Sequence, residues 1–73
     1  MNNSNHQKQA LEQLRVIRAK QVEYVTGLSR TTIWRKVNNN TFPAPLQLGP
    51  RSVGWRLSEV EDWVNSLKPT SNH

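Results

Sequence analysis

The sequence predicts an α+β fold: a small winged helix-turn-helix, with three short helices and a two-stranded β-hairpin wing. Three observations predict it. Two short helical patterns flank the tight run Gly27-Leu28-Ser29. Two alternating apolar runs flank Gly49-Pro50-Arg51-Ser52. A third, better-specified helical pattern opens at Ser58.

Arg15-Val16-Ile17-Arg18 alternates weakly and reads as a short strand. Leu11 and Leu14, three apart, allow a helical lead-in over residues 9–14. From Ala19 to Thr26 the apolar spacing lengthens, and Ala19, Val22 and Val25 define one face of a short helix. Gly27 ends it, because glycine enters the left-handed region without steric cost. Leu28 plugs the turn. Ser29 suits an N-cap, its hydroxyl accepting from a free amide of the next turn.

The second helix runs from about Arg30 to Asn38, with Ile33 and Val37 on its buried side. Asn38-Asn39-Asn40-Thr41 favours turn conformations and stops it. Pro43 and Pro45 enforce an extended path. Leu46 and Leu48 share one face of the first wing strand. Val53, Trp55 and Leu57 share one face of the second, and Gly54 and Arg56 take the other. The turn between them reads as longer than two residues. Ser58 and Glu61 have the spacing of a capping box. Glu59, Glu61 and Asp62 complement the positive end of the helix dipole. Val60, Trp63, Val64 and Leu67 follow the i, i+3, i+4, i+7 pattern, and Pro69 closes the element.

Composition narrows the function. The chain has 73 residues, 34% of them hydrophobic, so it holds one small domain. The domain is expected at about residues 14–67, between a polar arm (1–13) and a polar tail (68–73), both expected to be disordered. No repeat is visible. There is no cysteine, which removes disulfides, thiolate metal sites and thiol catalysis. His6 and His73 lie in the polar ends. Between 14 and 67 there is one Asp, no His and no phosphate-cradling glycine loop, so no enzyme, metal or cofactor is expected. No run of about 18 apolar residues exists to span a bilayer, and MNNSNHQKQA lacks the apolar region of a signal peptide. A cytoplasmic protein is expected.

The net charge is +5. Between Arg15 and Leu57 eight Lys and Arg face a single acid, Glu23, and three acids then crowd one turn after Ser58. A solvated surface usually mixes signs. This separation reserves one face for an anion, and nucleic acid is the first such partner to consider.

With Ile33 at the origin of a helical wheel, the second helix turns Arg35 (about 200°), Thr31 (about 160°) and Thr32 (about 260°) outward. A helix in the major groove reads bases with such residues. Arg35 can pair bidentately with guanine, and Thr31 can meet a thymine methyl. Solvated side chains are the plain alternative. Arg30 suits either a phosphate or an ion pair with Glu23. Ser29 and Thr32 are caps first, and their hydroxyls and the free helix amides could also hold a phosphate. Lys36 suits a phosphate contact. Trp34, on the flank, is either a core ring or an indole N–H donor to a phosphate. Trp55 and Trp63 are core by pattern. Arg51 and Ser52, at the wing tip, suit the adjacent backbone or minor groove. Arg18 and Lys20 suit flanking phosphates.

The run VEYVTGLSRTTIWRKVNNNTFPAPLQLGPRSVGWRLSEVEDWV resembles the AlpA family of small phage-type regulators, relatives of excisionases that share the winged-helix plan of MerR-type DNA-binding domains. Its most specific parts are TGLSRTTIW, the F-P-x-P at Phe42–Pro45, the G-x-R-S-V-G-W at Gly49–Trp55 and the S-E-V-E-x-W helix start. Each is weak alone; the four in order are specific. The resemblance covers about residues 15–67. It implies site-specific binding of double-stranded DNA, either to activate genes of a mobile element or to direct its excision beside a phage-type integrase. A different class remains open, a protein-interaction module docking an integrase or response regulator through the acidic helix start or the tryptophans. Oligomeric state is not legible.

Overall fold

The computed structural model describes Leu11 and residues 13–70. Expectations for residues 1–10, for Glu12 and for 71–73, His6 and His73 among them, lie outside the described residues. The elements are β1 (Val16–Ile17), α1 (Ala19–Thr26), α2 (Arg30–Asn38), β2 (Leu46–Gly49), β3 (Ser52–Arg56) and α3 (Leu57–Asn65). Ahead of β1, Leu11 and Gln13 are helical, and the Leu14 amide donates to the Leu11 carbonyl at 3.0 Å.

α1 and α2 have the bounds read from the sequence. Gly27 caps α1 at φ 75°, its amide donating to the Glu23 carbonyl at 2.8 Å. The Thr26 hydroxyl stitches the turn: it donates to the Val22 carbonyl at 2.8 Å and accepts from the Leu28 amide at 3.1 Å. The Ser29 hydroxyl accepts from the Thr32 amide at 3.2 Å, the expected N-cap. At the other end of α2, Asn40 takes φ 65°, a conformation asparagine tolerates better than most residues. One detail of α1 differs from expectation. Val22 is fully buried, but Val25 is 38% exposed. A three-residue spacing drifts about 60° per step on a helix, so Val25 falls to the edge of the stripe and Thr26 turns inward.

The sheet has three strands in the order β1-β3-β2, antiparallel throughout. The expected two-stranded wing is therefore extended by β1, with Val16 opposite Arg56 and Ile17 opposite Trp55. The hairpin turn is also shorter than expected. Gly49 pairs with Ser52, leaving only Pro50 and Arg51 as the loop, and the irregularity falls between Gln47 and Gly49. Among the described residues only Gly27 and Asn40 have positive φ. A two-residue turn without positive φ does not match strand twist, and an extra residue in β2 absorbs the mismatch.

β3 alternates as read. Trp55 faces the core and Gly54 faces outward, tightly covered by Val16 and Leu48. A Cβ on Gly54 would stand 2.6 Å from Val16 Cγ1 and 3.0 Å from both the Ile17 carbonyl oxygen and Leu48 Cδ1.

α3 corrects two expectations. The helix opens at Leu57, whose amide donates to the Arg15 carbonyl at 2.8 Å, so the strand-to-helix junction has no room for a separate cap. Ser58 lies inside the first turn, and its hydroxyl donates to the Gln13 carbonyl at 3.4 Å instead of closing a capping box. At the far end Leu67 lies beyond the C-cap Ser66 and is 53% exposed.

The core takes one buried residue from every element except β2, and Phe42 from the segment after α2: Ile17, Val22, Ile33, Phe42, Trp55 and Val60. Trp55 stands at its centre, edge-to-face with Trp34 at 5.5 Å and Phe42 at 6.5 Å. Trp63 packs against Phe42 at 4.8 Å and is only half-buried.

Candidate nucleic-acid interface

The tight turn after Gly27 sets α2 against α1, and the wing closes beside them because β3 runs through the core. These constraints bring residues distant in sequence to one groove. It has a volume of about 300 Å³ and is lined by Arg18, Ala19, Lys20, Arg30, Trp34, Arg51 and Val53. Its walls come from the start of α1, one flank of α2 and the hairpin. Arg18, Lys20, Arg30 and Arg51 are all exposed. Four cations around an aromatic and aliphatic floor make a concave, positively charged surface suited to a phosphate or another small anion.

Arg30 is not free within it. Its Nε–H donates to Glu23 Oε2 at 2.7 Å, forming the ion pair that stood as one of its two readings. Trp34 packs on the core against Trp55, the first of its two readings, and also lines the groove.

The outer face of α2 lies apart from the groove. Thr31 and Arg35 are exposed, opposite the buried Ile33. Thr32 and Lys36 are half-buried on its flanks. The Ser29 and Thr32 hydroxyls bond each other at 3.0 Å, which commits the Ser29 proton locally. The Lys36 carbonyl accepts from the Thr41 amide at 2.8 Å, anchoring the end of α2. Ser52 opens β3 beside Arg51 and does not line the groove. Seven of the eleven predicted residues thus divide between a groove (Arg18, Lys20, Arg30, Trp34, Arg51) and a helix face (Thr31, Arg35), and Ser29, Thr32, Lys36 and Ser52 belong to neither.

Tyr24 was not singled out by the sequence. It is 90% exposed and edges a second depression with Lys20, Glu23, Leu28 and Ser29. The signal was present: two residues beyond Val22, Tyr24 points about 200° away from the buried direction of α1.

The family model described as "Prophage CP4-57 regulatory protein (AlpA)" matches residues 15–68. The chain belongs to the AlpA family. The matched stretch holds every residue of the groove and of the outer α2 face, so the AlpA-family region and the candidate interface coincide. Two relatives are similar to it. The ORF88 protein of Enterobacteria phage P4 is 37% identical over 54 residues, 74% of this chain and 61% of the phage protein. The "DNA-binding transcriptional activator AlpA" of Escherichia coli (strain K12) is 34% identical over 58 residues, 71% of this chain and 83% of that protein. The chain therefore spans less than two thirds of the P4 relative. No solved structure matches it. Among the described residues no helix is long and apolar enough to cross a membrane.

Proposed function

We propose that this AlpA-family domain is a sequence-specific double-stranded DNA-binding protein of a prophage or integrative element, not an enzyme, working in the cytoplasm on nucleoid DNA. α2 enters the major groove with Thr31 and Arg35 toward base edges. Arg51 at the wing, with Arg18 and Lys20, grips the adjacent backbone. Ser29, Arg30, Thr32, Trp34, Lys36 and Ser52 flank these contacts.

The observation that carries this reading is the meeting of Arg18, Lys20 and Arg51 at one groove, where Arg30 is paired to Glu23. Cations scattered over a surface would need no partner. Cations gathered from the start of α1 and the hairpin repel one another, and a polyanion relieves that repulsion. The Escherichia coli relative, named a DNA-binding transcriptional activator, agrees with it.

Within this reading the domain acts as a transcription regulator, an excision factor beside a phage-type integrase, or both. The same contacts serve either task. At a promoter they recruit or block polymerase, and in an array at an attachment site they bend DNA for recombination. Genome-wide mapping of bound DNA tests the proposal. Discrete enriched sites are expected; promoter sites mean regulation and attachment sites mean excision. The absence of salt-dependent binding to any duplex would remove the proposal and favour a protein-interaction module. That alternative gains little from two of the tryptophans, since Trp55 is fully buried and the Trp63 N–H is committed to the Thr41 carbonyl at 2.8 Å.

A further inference from the structure

We propose that Glu23 is a built-in competitor for Arg30, holding back one cation of the groove until DNA displaces it. The inference rests on the DNA-binding reading and assigns a specificity-setting role to a residue that the reading does not use.

Three observations lead to it. Glu23 is the only acid between residues 13 and 58, so it stands alone among the cations of that stretch. Its carboxylate takes the Arg30 Nε–H at 2.7 Å, and Arg30 lines the same groove as Arg18, Lys20 and Arg51. Both partners remain accessible, with side chains 55% exposed for Arg30 and 33% for Glu23. An ion pair so open to water contributes little to fold stability, so stability alone is a weak account of it.

Its effect on binding is larger. A guanidinium neutralised within the protein releases no counterion from DNA, whereas one moved onto a phosphate does. A phosphate can still reach the terminal N–H groups of Arg30, but a duplex gains the full charge of Arg30 only by displacing the Glu23 carboxylate from its Nε–H, and the carboxylate meanwhile repels nearby phosphates. A cognate site, with base contacts to Thr31 and Arg35, can drive that exchange. A random sequence lacks those contacts. Glu23 thus lowers non-specific affinity more than specific affinity, the direction by which repulsive elements raise discrimination.

The test measures affinity for a random-sequence duplex of about 30 base pairs, at about 50 and 200 mM salt. Wild type, Glu23→Gln, Arg30→Ala and the double variant are compared, with thermal unfolding as the control for folding. Glu23→Gln keeps the size and a hydrogen-bond acceptor but removes the charge. Its affinity is expected to rise about three- to tenfold at the lower salt, and its salt-dependent loss to be about three- to fourfold larger than that of wild type, the change for one more neutralised phosphate. In the Arg30→Ala background Glu23→Gln should gain much less, only the part that comes from relieved repulsion.

An equal gain in that background would show plain charge relief and overturn the competition. Weaker binding by Glu23→Gln would show that Glu23 presents Arg30 to DNA, and would overturn it as well, as would no change. These outcomes differ from failure of the DNA-binding reading, in which wild type itself binds no duplex at either salt.

Discussion

The Trp55 indole N–H donates to the Pro43 carbonyl at 2.9 Å, tying the central strand of the sheet to the segment that leaves α2. A second indole repeats the device: Trp63 donates to the Thr41 carbonyl at 2.8 Å. Phe42 lies between the two rings, edge-to-face with both. Residues 41–43 are thereby fixed to β3 and α3, which sets where α2 ends relative to the wing. The F-P-x-P run therefore does more than extend the chain.

Trp55→Phe keeps an aromatic ring but leaves the Pro43 carbonyl without its donor. It should destabilise by about 1–3 kcal/mol, through the lost donor to a part-buried carbonyl and the smaller ring in the core. Trp55→Ala should cost about 3–5 kcal/mol, most of the stability of a domain this small, and give an unfolded or molten chain. Trp63→Ala should cost less, since that ring is half-buried. Denaturant melts of the three variants check the order, and a Trp63→Ala protein less stable than Trp55→Ala would misplace the core.

Gly54 and Gly27 should be intolerant for different reasons. At Gly54 a methyl group would meet Val16 Cγ1 at 2.6 Å and the Ile17 carbonyl oxygen at 3.0 Å, so Gly54→Ala strains the β1–β3 pairing and should cost about 1–3 kcal/mol. Val16→Ala should recover part of that loss. At Gly27 nothing lies within 4 Å, and the φ of 75° alone makes Gly27→Ala unfavourable by about 1–2 kcal/mol. Gly27→Asn should be milder. Thermal melts decide it: no recovery by Val16→Ala would show that the Gly54 contact is not the source of the strain.

How much of this was legible follows the range of each interaction. α1 and α2 were readable to the residue because their limits are local: a left-handed glycine, an N-cap serine and an asparagine run. The family match was readable because four short motifs keep their order. The pairing of Val16 with Arg56 was not, since nothing near Val16 encodes a partner so far along the chain. The start of α3 was misplaced for the same reason, as the backbone of Arg15 holds Leu57 and that of Gln13 takes Ser58. The charges were countable, but their meeting was not. Arg18 follows β1 and Arg51 belongs to the hairpin, and tertiary contacts, the β1–β3 pairing among them, bring them to one groove.

The groove should make salt dependence separable by residue. Arg18→Ala, Lys20→Ala and Arg51→Ala should each lower the slope of log K against log salt by about 0.9. Because the three side chains line one groove, pairs of these changes should fall short of additive, as expected for residues sharing a partner. Titrations at several salt concentrations check this; strictly additive losses would mean three independent phosphate contacts and no common clamp.

The central claim is a division of labour: the outer face of α2 reads sequence, and the groove with the wing grips backbone. Arg35 and Arg51 are both exposed, so replacing either should leave the fold intact. The decisive measurement is the affinity of Arg35→Ala and Arg51→Ala across a panel of single-base variants of the mapped binding site, at two salt concentrations. Arg35→Ala should cost about 1–3 kcal/mol on the native site and relax preference at one or two base positions. Arg51→Ala should weaken every sequence by a similar factor and flatten the salt slope by about one. A change of base preference in Arg51→Ala, with a uniform loss in Arg35→Ala, would contradict the account.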